Sequence, residues 1–540
     1  MNLLDPGSDK ARYRRLEVRG GVRRGVCGGR PALRVPDGAL KALAGEAFTD
    51  LAFYLRPDFL AAMRRILDDD GASANDRFVA EAVLRNAVIA AEGVLPLCQD
   101  TGSIQIFAFR GDRVITAGRD EDVLAAAASA VYKTRNLRYS IMAPLSVMDE
   151  VNTGTNLPAQ IDLQAAAGRE YRFFFMAKGG GSSNKIALFQ ESKARLEERA
   201  LESFLAEKIR AIGVAACPPY RIAVVVGGLS PEMTLKTVKL ASAGFLDGLP
   251  RRGAKSGIAF RDLGWEERVM RLARETGLGA QFGGLWLAHE ARFVRLPRHA
   301  GSCPIGLGVS CNADRGLRGK ITADGVFLEE VERRPSRFLE GARAAGPAAA
   351  VSVDLARPIE EVVAQLKSLP VGTLVRLSGP LVVARDIAHA RLDRILRETG
   401  TVPEYFKRHA VYYAGPAKTP RGLASGSFGP TTAQRMDGYL AEFLERGASL
   451  VTLGKGNRTA SAVEALKAHG GVFLGTIGGA AALIAKEHIV SSETIDFADL
   501  GMEAVRRIVV KDLPAFVIYD GRGGDLYATG PREGGACALD

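Results

Sequence analysis

The pattern of apolar residues changes between residues 335 and 350, and this change constrains the fold more than any other feature of the sequence. The stretch contains the run ARAAGPAAA, which has neither the alternation of a strand nor a clear amphipathic pattern, so we predict a linker. Beyond it, short apolar runs alternate with helical segments. That alternation is typical of an α/β domain with its own sheet.

The predicted strands and helices of this second domain follow one another along the chain. The strand-like runs lie at residues 351–355, 373–377, 410–413, 449–453, 472–474 and 515–519. The helical segments lie at residues 359–366, 385–398, 432–446 and 460–468.

The chain ahead of the linker is dominated at first by helical periodicity. Apolar residues recur at intervals of three and four positions within residues 39–55, 59–67, 74–91 and 120–133. A long charged helix is predicted from about residue 191 to residue 212, and it leads into a β-branched run at residues 221–226. A chain of 540 residues has room for about two to four domains. The predicted units are an N-terminal arm at 1–37, a mixed domain at 38–334, the linker at 335–350 and a smaller α/β domain at 351–540.

The chain carries 72 Lys and Arg against 61 Asp and Glu, a formal net charge of +11. Such a surplus suits nucleic-acid binding, an anionic membrane surface or a small anionic substrate, and the charges are too dispersed to favour the first two. The densest basic stretch, residues 12–30, also holds five glycines. We interpret it as a flexible arm or an edge strand rather than a nucleic-acid arm.

The six cysteines are too few and too dispersed for a disulfide framework, which indicates a reducing compartment. The first residues fit neither a signal peptide nor a transit peptide. The longest run of small apolar residues, 470–485, is too short to span a bilayer as a helix. We therefore expect a cytoplasmic protein that does not associate with membranes.

Four of the cysteines, Cys98, Cys217, Cys303 and Cys311, lie in turn-rich segments. Taken alone, each is explained more simply as a small buried hydrophobe than as a ligand. Loops with unpaired backbone amides also suit iron-sulfur ligation, because amide donors tune the cluster. The spacing of the cysteines matches no short-range zinc or ferredoxin pattern, so spacing alone leaves a metal site open.

A run of three glycines, flanked by Lys178 and Lys185, follows a strand-like segment at residues 171–177. Successive glycines allow backbone N–H groups to turn toward an anion, and the lysines add positive charge. The G-x-x-x-x-G-K-[ST] spacing of a P-loop is absent, and no G-x-G-x-x-G occurs with the expected strand, helix and later acid. A nucleotide site is therefore disfavoured.

Three basic residues of the second domain, Arg385, Arg435 and Lys455, stand at predicted junctions of strands and helices. Open α/β sheets place their ligands at such junctions. An arginine can bind a carboxylate through two parallel hydrogen bonds. For each residue taken alone, the alternative is an ordinary surface ion pair.

A family resemblance runs from about residue 40 to about residue 516. Twelve short stretches between residues 94 and 482 carry it, in this order: VLPLCQDTG, NTGTNLPAQIDL, KGGGSSNK, AACPPY, LKTVKLAS, GAQFGG, RLPRHAGSCPIGLGVSCNADR, ARDIAHA, YYAGPAKTP, SGSFGPTTAQRMD, KGNR and LGTIGGAAA. Together they resemble the class I, iron-sulfur-dependent, fumarate hydratases of the single-chain type. The resemblance implies an α/β fold with a mixed α+β N-terminal domain that holds the cluster and a smaller C-terminal α/β domain of the swivelling type. It also implies a homodimer.

By this resemblance, Cys98, Cys217 and Cys311 are the ligands of a 4Fe-4S cluster, and Cys303 is a neighbour rather than a ligand. Three ligands for four irons leave one iron open, as a Lewis-acid site requires. The implied reaction is the reversible hydration of fumarate to (S)-malate, a step of the tricarboxylic acid cycle.

The resemblance also assigns residues to the substrate. It implies Thr431 as the catalytic base and Asp100 as the acid, and a hydroxyl becomes an effective base only where neighbouring cations lower its pKa. The implied substrate-binding residues are Gln99, Arg138, Gly181, His299, Arg385, Arg435 and Lys455. Because the cluster ligands precede the linker and Thr431 follows it, we expect the active site to form between the two domains.

Two alternatives stay open at this stage. The family commonly continues CQDTG with Thr-Ala, whereas Ser103, Ile104 and Gln105 stand here, so the alternative substrates of the family, tartrate and mesaconate, are retained. The net charge would also suit a non-catalytic, RNA-binding iron-sulfur protein, for which the sequence offers no aromatic platform and no recognisable module. Cys27 and Cys537 lie outside the resembling stretches and are interpreted as incidental thiols.

Overall fold

The computed structural model describes residues 4–6, 9–342 and 350–528. Helices and strands are mixed along these ranges, which confirms the α/β expectation. Among the described residues, no helix is both long enough and apolar enough to cross a membrane. Cys537 and most of the second half of the predicted linker lie outside the described ranges. Residues up to 342 are called the N-terminal part below, and residues from 350 the C-terminal part.

The described helices of the N-terminal part are α1 (Asp37–Phe53), α2 (Pro57–Asp68), α3 (Ala74–Ala90), α4 (Asp120–Thr134), α5 (Gly180–Ser183), α6 (Glu198–Ile212), α7 (Pro231–Ser242) and α8 (Leu263–Glu275). Its strands are β1 (Tyr13–Leu16), β2 (Arg23–Cys27), β3 (Arg30–Arg34), β4 (Ser103–Gly111), β5 (Val114–Ile115), β6 (Met142–Pro144), β7 (Glu150–Asn152), β8 (Gln160–Ala166), β9 (Tyr171–Lys178), β10 (Ala187–Glu191), β11 (Tyr220–Gly228), β12 (Phe260–Arg261), β13 (Ala288–Arg298), β14 (Cys303–Ser310), β15 (Gly316–Thr322) and β16 (Gly325–Glu329).

Strands β1, β16, β15, β9, β4 and β8 form a six-stranded sheet in that order, antiparallel except for the β4–β8 pair. One face packs on α1 and α4, where the Phe48 and Phe175 ring centroids are 6.0 Å apart. The other face packs on α7. The sheet is therefore covered on both faces, and the loops that carry Cys98 and Cys311 lead into its strands β4 and β15.

Strands β10, β14, β11, β13 and β12 form a five-stranded sheet in that order. Strand β11 is central and buried along its whole length. Its alternate residues Ile222 and Val224 belong to the core around α6 and α8, while Ala223 and Val225 belong to the core around α7. Burial on both faces explains why residues 221–226 read as a continuous apolar run.

The described helices of the C-terminal part are α9 (Ile359–Lys367), α10 (Asp386–Thr399), α11 (Glu404–Arg408), α12 (Asp437–Glu445), α13 (Ala460–His469) and α14 (Ala481–Glu487). Its strands are β17 (Val351–Asp354), β18 (Leu374–Val383), β19 (Val411–Tyr412), β20 (Ala414–Pro416), β21 (Phe428–Pro430), β22 (Val451–Gly454), β23 (Val472–Thr476), β24 (Ile489–Asp496) and β25 (Val505–Tyr519).

Seven of these strands form one sheet in the order β17, β18, β19, β22, β23, β25 and β24. The first five are parallel, whereas β25 runs antiparallel to β23 and β24. Strand β25 also pairs with β18, which closes β18, β19, β22, β23 and β25 into a ring. Each of the six predicted strand-like runs overlaps a strand of this sheet, so the predicted alternation is confirmed.

The prediction that a long charged helix begins at about residue 191 is wrong. Residues up to Glu191 belong to β10, a 3₁₀ helix (Lys193–Leu196) follows, and α6 begins at Glu198. The Glu197 side chain accepts hydrogen bonds from the backbone N–H groups of Arg199 and Ala200, at 3.2 and 2.9 Å. This cap fixes the beginning of the helix because it satisfies N–H groups that have no partner within the helix.

The basic stretch at residues 12–30 forms strands in the described structure. Strand β1 pairs with β16 at the edge of the six-stranded sheet, and β2 pairs with β3. The edge-strand interpretation therefore applies to β1.

The N-terminal and C-terminal parts share one continuous apolar core. The Phe282 ring stacks on Phe516 of β25, with centroids 4.1 Å apart. Asn86 of α3 accepts hydrogen bonds from the N–H groups of Ala482 and Leu483, at 2.8 and 3.1 Å, in the first turn of α14. These contacts join α3 and the segment around Phe282 to α14 and β25 of the C-terminal part.

Candidate active site

A cavity of about 270 Å³ lies between the two parts, and both contribute to its wall. Eleven of the twelve residues singled out as ligands, catalytic groups or substrate contacts line it. These are Cys98, Gln99, Asp100, Arg138, Gly181, Cys217, Cys311, Arg385, Thr431, Arg435 and Lys455. The fold therefore brings together side chains that are separated by more than half of the sequence.

His299 is the exception. It follows β13 in an exposed turn, where its ring Nδ1 accepts a hydrogen bond from the N–H of Gly301 at 3.1 Å. It does not line the cavity. The turn carries the side chain to the surface, so this structure does not place His299 with the other candidate residues.

The three predicted ligands come from three separate loops that converge. Cys98 precedes β4, Cys217 precedes β11, and Cys311 directly follows β14. The backbone N–H of Asn312 donates to the carbonyl of Cys217 at 3.1 Å, which ties two of the loops together. Cys303 is buried in β14 and does not line the cavity.

The thiols lie in an environment of buried positive charge. Burial raises the pKa of Cys98 to about 12, against the lowering influence of Arg315. Burial likewise raises the pKa of Cys217. Lys455 acts in the opposite direction, because its Nζ lies 2.8 Å from Cys217 Sγ. Soft thiol donors with cations beside them and no disulfide partner suit a metal that replaces their protons.

The chemistry of the thiols bears on which metal group fits. Among the described residues, no three His, Cys, Asp or Glu side chains are close enough to hold a single metal ion. The three cysteines nevertheless line one cavity. Thiolates are the usual ligands of iron-sulfur clusters, so three thiols in one cavity form a donor set that such a cluster fits.

A glycine turn from the C-terminal part closes over Cys217. A Cβ atom on Gly478 would lie 2.4 Å from Cys217 Sγ, so only glycine fits there. The Gln281 side chain accepts from Gly478 N–H at 2.7 Å and donates to the Gly478 carbonyl at 3.0 Å. Asn312 Nδ2 donates to the same carbonyl at 3.1 Å. Gly478 in the LGTIGGAAA stretch thus allows this backbone to lie directly against the loop that carries Cys217.

The backbone of the glycine run binds the side-chain carboxylate of Asp100. The N–H of Gly180 donates to Asp100 Oδ2 at 2.7 Å, and a Cβ atom on Gly179 would lie 2.8 Å from the same oxygen. Burial alone would raise the pKa of Asp100, but Arg138 and Arg315 hold it below its usual value. Asp100 is therefore a carboxylate in the resting site.

The preceding lysine is buried as well. Lys178 Nζ donates to the carbonyl of Val309 at 3.0 Å and to Ser242 Oγ at 3.4 Å. Burial lowers the pKa of Lys178 to about 8. Its side chain therefore ties β9 to β14 while it adds positive charge to the cavity wall.

Two arginines from different parts of the chain share one carboxylate. Arg138 Nη2 donates to Glu503 Oε1 at 2.9 Å, and Arg385 Nη2 lies 2.8 Å from the same oxygen. Burial and the neighbouring Arg138 lower the pKa of Arg385 to about 10, against the raising influence of Glu503. A Cβ atom on Gly415 would lie 2.7 Å from Arg385 Cζ, so the guanidinium packs directly on that backbone.

Thr431 lies against a cation. Its Oγ1 accepts a hydrogen bond from Arg435 Nη2, and Arg435 Nη1 donates to Asp386 Oδ2 at 2.7 Å. The Thr431 backbone is held on both sides, by Tyr413 O at 2.8 Å and by Lys455 N at 3.1 Å. Thr431 and Lys455 therefore reach the cavity from adjacent backbone segments with little freedom to move apart.

Sequence reasoning did not single out three residues that the structure places at the site: Arg315, Ser140 and Glu503. Arg315 closes the motif that ends in SCNADR, which could have identified it, and its Nη1 donates to the Asp100 carbonyl at 2.7 Å. Ser140 lines the cavity, but no motif contains it. Glu503 lies near the end of the chain, where no sequence pattern connects it to either arginine.

Comparison with known proteins gives the family. Residues 41–321 match the family model of fumarate hydratase (Fumerase), and residues 325–530 match that of the fumarase C-terminus. Fumarate hydratase 2 of Leishmania major is 51% identical over 501 residues, which cover 93% of this chain and 88% of that protein. The aerobic class I fumarate hydratase of Escherichia coli K12 is 51% identical over 500 residues, which cover 92% of this chain and 91% of that protein.

A more distant relative covers only part of the chain. The putative L(+)-tartrate dehydratase subunit alpha of Methanocaldococcus jannaschii is 27% identical over 285 residues, which are 52% of this chain and 96% of that protein. The relatives at about half identity instead extend over both parts that form the cavity wall. The chain belongs to the class I fumarate hydratase family.

Proposed function

We propose that the chain is a hydro-lyase that hydrates fumarate reversibly to (S)-malate. The observation that carries this proposal is the cavity between the two parts, which is lined by three cysteines and six cations, among them Arg138, Arg385, Arg435 and Lys455. Half of the residues are shared with proteins named fumarate hydratase across more than nine-tenths of the chain. A dicarboxylate matches a cavity with this excess of positive charge.

Cys98, Cys217 and Cys311 would hold a 4Fe-4S cluster, whose open iron would supply a Lewis acid to the hydroxyl and one carboxylate of malate. The buried thiols, the cations beside them and the glycine turn over Cys217 support this assignment. Gln99, Gly181 and Lys455 would complete the wall around that end of the substrate.

Arg138 and Arg385 would bind the remote carboxylate. Removal of the C3 proton from malate places negative charge on that carboxylate, and fixed cations stabilise the charge without reorganising. Both guanidinium groups are held in place before substrate arrives, by Glu503 and, for Arg385, by the Met502 carbonyl at 3.1 Å.

Thr431 would accept the C3 proton. Arg435, which donates to its Oγ1, stabilises the anionic oxygen that the base role requires. Asp100, a carboxylate in the resting site, would accept a proton from water during hydration and return it to the leaving hydroxide during dehydration. His299 would have to move from its surface turn to contact substrate.

Anaerobic purification followed by an assay of fumarate hydration tests this function. The wild type should bind iron and consume fumarate. Thr431→Ala should bind the same amount of iron while kcat falls by about a hundredfold or more, as expected for loss of a general base. Thr431→Ser, which keeps the hydroxyl, should retain most of kcat. Near-normal turnover in the alanine variant would remove Thr431 from the base role.

Assays of mesaconate and both tartrate enantiomers decide the substrate within the family. We expect the highest kcat/KM with fumarate. A tenfold preference for tartrate would favour the alternative. We also propose that the protein is cytoplasmic, which suits the unpaired cysteines of the described residues, and that it is a homodimer, as the family resemblance implies. Light scattering of the loaded protein tests the dimer.

A further inference from the structure

The Glu503 carboxylate joins the two parts of the chain at the cavity. It ends a short 3₁₀ helix (Ala498–Glu503) of the C-terminal part, and its side chain is 14% exposed. Arg138 reaches it from the N-terminal part, and Arg385 from the beginning of α10. Glu503 itself does not line the cavity, so it lies behind the arginines that do.

The two guanidinium groups need this carboxylate. Like charges repel strongly in a buried site, and a buried cation without a counter-ion is costly. Among the described residues, Arg138 makes no ion pair other than that with Glu503, although its charge also acts on the Asp100 carboxylate. The carboxylate is the nearest negative charge to Arg385 as well, at 2.8 Å.

Arg385 Nε and Ser140 Oγ are buried donors without a hydrogen-bond partner in the described structure. Ser140 and Arg385 also line the cavity. Buried polar atoms are nearly always paired, so their presence together indicates a place that a polar ligand completes. Arg138 itself is fixed at its backbone by Thr101 Oγ1, at 3.0 Å from Arg138 N and 3.1 Å from Arg138 O.

We propose that Glu503 is a positioning residue for the remote carboxylate of the substrate: it holds Arg138 and Arg385 side by side so that one carboxylate can bind both. This inference rests on the proposed function, because it takes a dicarboxylate as the ligand. Loss of the Glu503 charge allows the arginines to separate, and the substrate then has to bring them together again when it binds. The cost appears in affinity more than in the chemical step.

The test compares Glu503→Gln with Asp499→Asn in the cluster-loaded enzyme. The amide keeps the size of the side chain and removes only the charge. Asp499 lies in the same 3₁₀ helix and pairs with Arg391 at 2.7 and 2.8 Å, so its variant makes the same chemical change in the same element. Asp499 does not line the cavity. The probe is succinate, a dicarboxylate that has no double bond to hydrate, with its Kd measured by calorimetry.

We expect Glu503→Gln to weaken succinate binding and raise the KM for fumarate by about tenfold or more, because one partner of a buried charge pair is lost. Iron content should match the wild type, and kcat should change less than KM. The thermal midpoint should fall, because a buried charge pair is broken. Asp499→Asn should leave both constants unchanged. Glu503→Asp, which keeps the charge, should recover part of the affinity.

Unchanged or tighter succinate binding in Glu503→Gln would overturn the inference, since it would mean that Glu503 only offsets positive charge. Equal losses in Asp499→Asn would overturn it too, as a general effect on the segment. A wild type that binds succinate but does not hydrate fumarate would refute the proposed function alone, and the effect of Glu503 on affinity would still be measured.

Discussion

His389 is a buried histidine that the proposed chemistry does not use. It is 1% exposed, and neither ring nitrogen has a hydrogen-bond partner in the described structure. Its ring packs among four aromatic side chains, those of Phe406, Tyr413, Tyr439 and Phe443. Burial lowers the pKa of His389 from 6.5 to about 4, so the native protein keeps the ring neutral at pH 5.

His389→Phe should reduce the loss of stability on acidification. Because the folded pKa is below the unfolded value, the unfolded chain takes up a proton first, and stability decreases as pH falls from above 6.5 toward 4. The full effect is at most about 3 kcal/mol. Urea unfolding at pH 7.5 and pH 5 should therefore show a smaller difference in the variant than in the wild type.

A surface histidine provides the control for this experiment. His469 is exposed at the end of α13, and His469→Gln should show the same pH dependence as the wild type. If His389→Phe loses as much stability on acidification as the wild type, protonation of His389 does not contribute to acid destabilisation.

The candidate site was predictable to the extent that its residues stand in ordered motifs. Cys98, Cys217 and Cys311 are assigned by their motifs, whereas their spacing alone left the metal site open. Glu503 was not predictable, because its role depends on a contact across 365 residues with Arg138. For His299 the motif implied a contact with substrate, but in this structure the residue lies in an exposed turn away from the cavity.

At the scale of elements, the turn between β23 and α14 is under close steric constraint. A Cβ atom on Gly478 would lie 2.4 Å from Cys217 Sγ and 3.1 Å from Lys455 Cδ. Neither the turn nor the cysteine can shift without breaking the bonds from Gln281 and Asn312. Gly478→Ala should therefore displace Cys217 and reduce the iron and labile sulfide bound per chain several-fold after anaerobic reconstitution.

Gly438, in α12, is the matched control for this variant. A Cβ atom there would meet nothing within 4 Å. Alanine in a helix is favoured over glycine by about 0.5–1 kcal/mol, so Gly438→Ala should keep full iron and the same or higher stability. Iron binding in Gly478→Ala equal to that in Gly438→Ala would contradict the steric argument.

Elements with a regular period were predicted well, and those fixed by distant contacts were not. The helices α1 to α4 and the parallel strands of the C-terminal part follow local periodicity. The closure of the ring was not predicted, because β25 pairs with β18 more than a hundred residues away. Strand β25 begins at Val505, ten residues before its predicted start, since only its end is continuously apolar.

At the scale of the whole molecule, the two parts are joined through a shared apolar core as well as through the covalent chain. Phe78 and Phe282 both pack on the Phe516 ring, with centroids 5.5 and 4.1 Å away. Large hydrophobic contacts of this kind oppose relative motion of domains. We therefore expect substrate entry through side-chain and loop motion more than through wide separation of the two parts.

Asn86 provides the sharpest test of this coupling. From α3, its Oδ1 accepts the N–H groups of Ala482 and Leu483, while its Nδ2 donates to the Leu97 carbonyl just before Cys98. Asn86→Ala leaves three buried backbone groups without their partner, so it should lower the free energy of unfolding by about 3 kcal/mol or more in urea titrations. The same variant should release iron faster, because Leu97 adjoins the first cysteine.

The exposed ion pair between the same two helices is the matched control. Arg85 and Glu487 are 2.6 Å apart, with side chains 45% and 35% exposed. Solvent screens such a pair, so Glu487→Gln should change the free energy of unfolding by less than about 1 kcal/mol. Similar losses in both variants would contradict the buried contact as the main coupling. A larger loss in Asn86→Ala would show that buried backbone hydrogen bonds, and not surface charge, join the cysteine loops to the C-terminal part.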